Sequence, residues 1–245
     1  MFILNPYRFA GASWANTLST DFDGVDEYAK ASGSTIHEIN ATNFSLSAWI
    51  KMDDTIGTQQ ILGKGTIGGG HEGYSIYCLG DATFGSQLRD TTNTVTTAGG
   101  DTTISTSTWY HVVVTVDWAS STGHKLYIDG TAESTTASTI PLNGDLRGTS
   151  IFSIGAKFLS SGSLFANCNV DEVTFWSTDL SAAEVTELYN SGTPADPTTH
   201  SQDANLVAIY RMGDGDTHPT ISDNEASADL TLINSESGDF VSDVP

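Results

Sequence analysis

Apolar and polar positions alternate along short runs of this chain, and the runs are separated by Gly, Asp, Asn and Ser. In Phe44-Ser45-Leu46-Ser47-Ala48-Trp49-Ile50 the period is two, which places Phe44, Leu46 and Ala48 on one face of a strand. Tyr110 to Val116 is dominated by β-branched residues, a composition suited to a pleated, mostly buried strand. A polar turn at Asp117 to Gly123 leads to a second strand, Lys125 to Ile128. Asp129-Gly130 then forms a two-residue hairpin signal, because both positions want positive φ. Further strands are predicted on either side of a turn in Asp21 to Ala29, at Ile61-Leu62, Tyr74 to Leu79, Ile151 to Ala156 and Val170 to Trp176, and two close the chain at Leu206 to Met212 and Leu230 to Ile233.

One segment breaks the period. Ser181-Ala182-Ala183-Glu184 has the spacing of a capping box, in which the Ser hydroxyl accepts from the N3 amide and Glu184 reaches back to the cap amide. Leu180 and Val185 stand where a hydrophobic staple needs them, and Gly192 and Pro194 end the run. The pattern therefore predicts an all-β, two-sheet antiparallel sandwich with one short surface helix at about 181–190.

Residues 1–20 read as a lead-in whose aromatics Phe2, Tyr7, Phe9 and Trp14 should pack on something, and 193–204 as a polar linker. Residues 205–245 carry eight apolar side chains (Leu206, Val207, Ile209, Tyr210, Met212, Leu230, Leu232 and Ile233) that require cover. Forty residues are too few for a core of their own. They are expected to complete the sandwich of 21–192, or to insert into a neighbouring copy, which would make a homo-oligomer.

Charge narrows the partners. Thirty acidic residues face nine basic ones, a formal net charge of −21. A field of that sign repels phosphate backbones and anionic lipid, which argues against nucleic acid and membrane surfaces. Charged residues make up only 16% of the chain, against roughly 25% in average proteins, so the surface is built from Ser, Thr, Asn and Gly. That habit is common in extended β proteins outside cells or on virus particles. Met1-Phe2-Ile3-Leu4 precedes Asn5-Pro6 with no basic and apolar regions of a secretory signal. Cys78 and Cys168 match no metal-ligand spacing; two free, buried thiols are favoured over a pair. The Gly-rich stretch from Gly63 to His71 lacks the G-x-x-x-x-G-K-[S/T] spacing and the following helix of a phosphate loop and reads as a hairpin loop. His71, His111 and His124 stand apart, in no metal-binding pattern.

Six motifs then stand in one order: F-D-G-V-D-E-Y at 22–28, F-S-L-S-A-W-I at 44–50, G-Y-S-I-Y at 73–77, W-Y-H-V-V-V-T-V-D at 109–117, L-Y-I-D-G at 126–130 and V-D-E-V-T-F-W-S-T-D-L-S-A-A-E-V at 170–185. Together they resemble the laminin-G-like, concanavalin A-like lectin/glucanase jelly roll over roughly residues 21–190. The resemblance implies two curved antiparallel sheets, often a calcium ion, and carbohydrate or protein binding. Such domains usually place strands like Leu206 to Gly215 and Ala228 to Ile233 before the F-D-G motif, so the order here resembles a circular permutation. The closing segments also resemble tails of marine phage structural proteins.

The chemistry implied is binding. Retaining glucanases of this fold set acidic residues at alternate positions of one strand, and no E-x-D-x-E or E-x-D-x-x-E occurs here. Asp171 and Glu172 are adjacent, so alternation would send them to opposite faces. Nor is there a G-x-S-x-G elbow. Asp171 is the leading metal candidate: with Val173 and Phe175 as same-face neighbours, it is expected at the rim of the core. The resemblance carries the calcium role to Asp171 with Asp23 and Gly24, and more weakly Asp26; a turn-capping role for Asp171 is the alternative. Trp118, in a turn, and Trp176, opposite Val173 and Phe175, are the candidate sugar platforms, whereas Trp49 and Trp109 read as packing.

The reading that follows is a non-catalytic binding and assembly module on a virion surface, as a decoration, fibre or tail-associated protein. Its partners would be host-surface glycans or neighbouring virion subunits. A carbohydrate-binding module of a secreted bacterial protein is the alternative, and a glycan-cleaving enzyme ranks third.

Overall fold

The structure is a computed structural model that describes residues 14–31, 33, 35–65, 71–134, 143–158 and 162–245. In chain order the strands are β1 (Ser19–Asp23), β2 (Tyr28–Ala31), β3 (Phe44–Met52), β4 (Gln59–Lys64), β5 (Gly73–Cys78), β6 (Phe84–Arg89), β7 (Val95–Gly99), β8 (Trp109–Val116) and β9 (His124–Ile128). They continue as β10 (Thr131–Ala132), β11 (Phe152–Ile154), β12 (Lys157–Phe158), β13 (Gly162–Ser163), β14 (Asn167–Trp176), β15 (Leu206–Tyr210), β16 (Thr220–Ile221), β17 (Leu230–Ile233) and β18 (Phe240–Val241).

Two antiparallel sheets of eight strands each face one another. One runs β10-β9-β8-β3-β14-β1-β18, with β15 also on β14; the other runs β16-β17-β2-β11-β4-β5-β6-β7. The main core lies between them. Phe44, Leu46 and Ala48 pack there with Val112, Val114 and Val116, as the alternation requires, and meet Tyr74, Ile76, Phe84 and Phe152 of the second sheet. The Asp129-Gly130 turn has φ of 49° and 76°, and β10 folds back on β9 across it. Gly24 sits at φ +73° in the F-D-G turn, where an added Cβ would lie 2.7 Å from that of Asn167. Cys78 and Cys168 are free and buried. Gly63 and Lys64 belong to β4 rather than to a loop, while residues 66–70 of that stretch lie outside the described residues.

Among the described residues there is a single α-helix, α1 (Ala182–Tyr189), with the capping box formed by Ser181 and Glu184. It ends on Asn190 in the left-handed region, φ 48°. The helix lies on the outer face of the first sheet. Leu180, Val185 and Leu188 form a second apolar cluster there with Val113, Tyr127, Trp176, Leu206 and Ile209. No helix among the described residues is long and apolar enough to cross a membrane.

The C-terminal residues supply strands to both sheets. β15 pairs with β14, and β17 with β2. Six of the eight apolar side chains singled out there are buried, Val207 and Ile233 being half-buried. One consequence shapes the site. The long strand β14 keeps β3 on one edge throughout, but its other edge is shared: β1 takes residues 167–170 and β15 takes residues 173–176. Between them the β14–β3 register shifts by one residue, and Glu172 adopts φ 44°. This is a β-bulge, and it falls on Asp171-Glu172.

Candidate functional site

An extra residue in a strand reverses the alternation beyond it. Val170 lies in the core, and so do Val173 and Phe175. Asp171 is therefore on the opposite face from Val173, not in its row as simple alternation expects. Glu172 shares the outer side, where it lines a narrow crevice with Trp49, His111 and Thr174. Two corrections follow. Asp171 is fully buried in mid-strand rather than placed at the rim of the core, and the two carboxylates do not leave on opposite faces.

Residues 14–17 close over this gap in the sheet edge. Asn16 Nδ2 donates to Asp171 Oδ2 at 2.8 Å, and the Glu172 backbone N–H donates to Asp171 Oδ1 at 2.8 Å. Arg211, just beyond β15, donates from Nε and Nη2 to Glu172 Oε1 at 3.1 and 2.8 Å. Its Nη2 also reaches Ala15 O at 2.7 Å and Asp214 Oδ2 at 3.2 Å. Asp214 in turn accepts from the backbone and hydroxyl of Thr17. Trp14 lies on the guanidinium, 3.9 Å from ring centroid to Cζ. Trp14 thus packs against Arg211 and the cluster under α1, while Phe2, Tyr7 and Phe9 lie outside the described residues.

Burial raises the pKa of Asp171, and the neighbouring Glu172 charge adds to the shift. Burial also raises Glu172, against the pull of Arg211. Asn16 Oδ1, Glu172 Oε2 and Trp14 Nε1 are enclosed there without a hydrogen-bond partner, an arrangement that costs stability. A sugar has no route to either carboxylate, because Asp171 is 0% and Glu172 4% exposed.

The residues do not fit a calcium ion held by Asp171 with the F-D-G turn. Asp23 pairs with Asn167 and Thr20 with Val170, so Asp23 sits four residues along β14 from Asp171, about 13 Å at the rise of a strand. Asp23 Oδ1 already accepts from the backbone N–H of Val25 at 2.8 Å and of Asp26 at 3.3 Å. Asp26 lies exposed in the same turn. Among the described residues no group of three or more His, Cys, Asp or Glu is placed to hold a metal ion.

Of the two tryptophans expected as platforms, Trp176 is covered and Trp118 stands half-buried in its turn. Trp176 is indeed opposite Val173 and Phe175, but that face is covered: the side chain is 0% exposed, under α1 and 4.9 Å from the His200 ring. Trp118 is half-buried and packs on the main core, with its backbone N–H donating to Asn43 Oδ1.

An open cleft of about 360 Å³ lies beside α1 instead, lined by Trp14, Glu187, Asn190, Asp196, Thr199 and His200 among others. α1 positions Glu187 and Asn190; the 193–204 segment supplies the rest. Asp196 caps a short 3-10 turn at Pro197–Thr199, accepting from Thr198 N at 2.9 Å. His200 is fixed by three contacts. Its Nδ1 accepts from Gln202 N at 3.1 Å, so Nε2 carries the proton and faces Glu184 O at 2.9 Å; the Trp176 ring lies alongside. Glu187 accepts from Ser201, which holds its carboxyl below the usual range. The sequence carried a partial signal for this cleft, the aromatic Trp14 in a segment expected to pack. The polar 193–204 stretch looked like a plain linker.

The two facing antiparallel sheets are those of a jelly roll. A model of the concanavalin A-like lectin/glucanases superfamily matches residues 23–186, and the chain belongs to that superfamily. Solved structures share the fold. A candidate carbohydrate-binding protein from Bacteroides ovatus matches at 17% identity and TM-score 0.66, over 89% of this chain and 58% of its own length. The chain thus spans little more than half of that protein. A pentraxin from Limulus polyphemus matches at 13% identity and TM-score 0.55, over 71% of this chain and 82% of its own. The CBM40 of a Ruminococcus gnavus sialidase, solved with α2,3-sialyllactose, matches at 15% identity and TM-score 0.53, over 71% of this chain and 100% of its own. None of the curated proteins compared matches the chain.

Proposed function

We propose that the protein is a glycan-binding module that works without turnover, and that the cleft beside α1 is its site. The observation that carries this reading is the lining itself. Sugar recognition pairs an aromatic surface with hydrogen-bonding side chains, and here Trp14 stands with Asn190, Asp196, Thr199 and Glu187 around about 360 Å³. The carbohydrate-binding proteins of the same fold in Bacteroides ovatus and Ruminococcus gnavus support it. Burial of Asp171 and Glu172, the adjacent carboxylates on the central strand, supports binding over hydrolysis.

Display on a virus particle is the setting we favour, as a decoration, fibre or tail-associated protein that meets host-surface glycan or neighbouring virion subunits. Its support is the Ser-, Thr-, Asn- and Gly-rich, strongly acidic composition. A glycan array probed with the wild type and with Trp14→Ala tests the site. Binding by the wild type is expected, with a loss of about 1–3 kcal/mol, roughly fivefold to 150-fold, in the variant. Retention unchanged in Trp14→Ala would move the site elsewhere, and release of reducing sugar would overturn binding without turnover. Mass spectrometry of purified virions from the source tests the setting.

A further inference from the structure

We infer that the cleft selects glycans without anionic groups and rejects sialylated, sulfated and uronate-bearing ones. The inference rests on the reading of the cleft as a glycan site and adds its ligand class. The argument is electrostatic and concerns where every described base is placed.

Among the described residues the cleft lining contains two carboxylates, Glu187 and Asp196, and no Lys or Arg. Glu187 is held ionised at neutral pH by its bonds to Ser201, and Glu184, one helical turn before Glu187, is held ionised by the capping box. Histidine does not reverse the sign. The Nε2 proton of His200 faces the Glu184 carbonyl, and its side chain is 1% exposed.

The remaining bases are committed or distant. Lys51 is bound to Asp243, Lys64 to Glu38 and Arg147 to Asp145. Lys30, Arg89 and Lys157 stand on the second sheet or its β12 hairpin, away from α1. Lys125 stands on β9, opposite Thr115, and does not line the cleft. Arg211 is the base nearest to Trp14, but its guanidinium is spent on Glu172 and Asp214. An anion drawn to Arg211 would strand the buried Glu172 without its partner, which is costly. Among the described residues a ligand carboxylate or sulfate in the cleft would therefore meet like charge, in a chain of net charge −21. Neutral sugar hydroxyls meet acceptors: Asp196, Glu187, Asn190 and Thr199. This sets the protein apart from the fold-sharing module solved with sialyllactose.

The test is an array that prints neutral glycans beside the same glycans carrying sialic acid, sulfate or a uronate, followed by calorimetry on the best neutral glycan and its sialylated form. The sialylated form is expected to bind at least about tenfold more weakly, from repulsion by two carboxylates across a partly wet cleft. The gap should narrow in 0.5 M salt and in Glu187→Gln with Asp196→Asn, which screen or remove the charges. Equal or tighter binding of the anionic forms, with binding lost in Trp14→Ala, would overturn the selectivity while keeping the cleft as the site. Binding to no glycan of either kind would overturn the glycan site itself, and this inference with it.

Discussion

Two acidic regions of the molecule meet opposite conditions. At the bulge, Asp171 and Glu172 are enclosed by residues 14–17 and answered by a single cation, Arg211. At the far end of β1, Asp21, Asp23, Glu27, Asp53 and Asp239 crowd together where water reaches them. Partial burial and its carboxylate neighbours still push Glu27 up to about 7. The difference lies in what compensates the charge. The exposed group disperses its repulsion into solvent and salt, and Asp23 and Glu27 spend acceptors on backbone amides of their own turn. The buried pair has no solvent to disperse into and holds one backbone amide and Asn16 on Asp171, so its stability leans on one guanidinium and on proton uptake.

Removing that cation is the strongest way to break the contrast. Arg211→Met leaves Glu172 and Asp214 without their partner and Trp14 without its stacked guanidinium. A loss of about 3–5 kcal/mol is expected, which lowers Tm by about 6–20 °C for a chain of this size. Differential scanning calorimetry checks it; a drop of a degree or two would mean that the pair is already neutral and needs no cation.

The pH profile separates the regions less violently. Asp171 and Glu172 have raised pKa values, so the folded state holds protons that the unfolded chain releases, and stability falls as pH rises from about 4.3 through the raised values. His37, His111 and His124 are lowered to about 3 by burial, which adds a second limb. Their contribution is complete above about 6.5 and is lost as pH falls toward 3. Tm should therefore peak in mildly acid buffer and decline toward pH 9. Asp171→Asn should flatten the alkaline limb and leave the acid limb in place. An unchanged alkaline decline in that variant would assign it to the solvent-facing group around Glu27 instead.

The smallest effect concerns calcium. Because Asp23 and Asp171 are held apart along β14, any change in Tm on adding calcium after chelation should be the same in the wild type and in Asp171→Asn. A response present in the wild type and absent from the variant would restore Asp171 as a ligand.

Much of the fold was legible because its determinants are local. Alternation in Phe44 to Ile50 sets which side chains enter the core, Asp129-Gly130 sets a turn through φ, and Ser181 with Glu184 starts the helix by satisfying amides within one turn. The site was legible only in part. Parity counted from Val173 misplaces Asp171, because the inserted residue at Glu172 answers to the hand-over of one strand edge from β1 to β15, partners about 150 and about 35 residues away respectively. The face that carries Trp176 was read correctly, but its exposure was not, since periodicity says which side a residue takes and nothing of what later packs on that side. The cleft is assembled from Trp14, α1 and the 193–204 segment. Local chemistry along the chain determined the strands, the helix and the sign of the field; contacts between distant segments alone decided which acids are sealed and which aromatic lines the cleft.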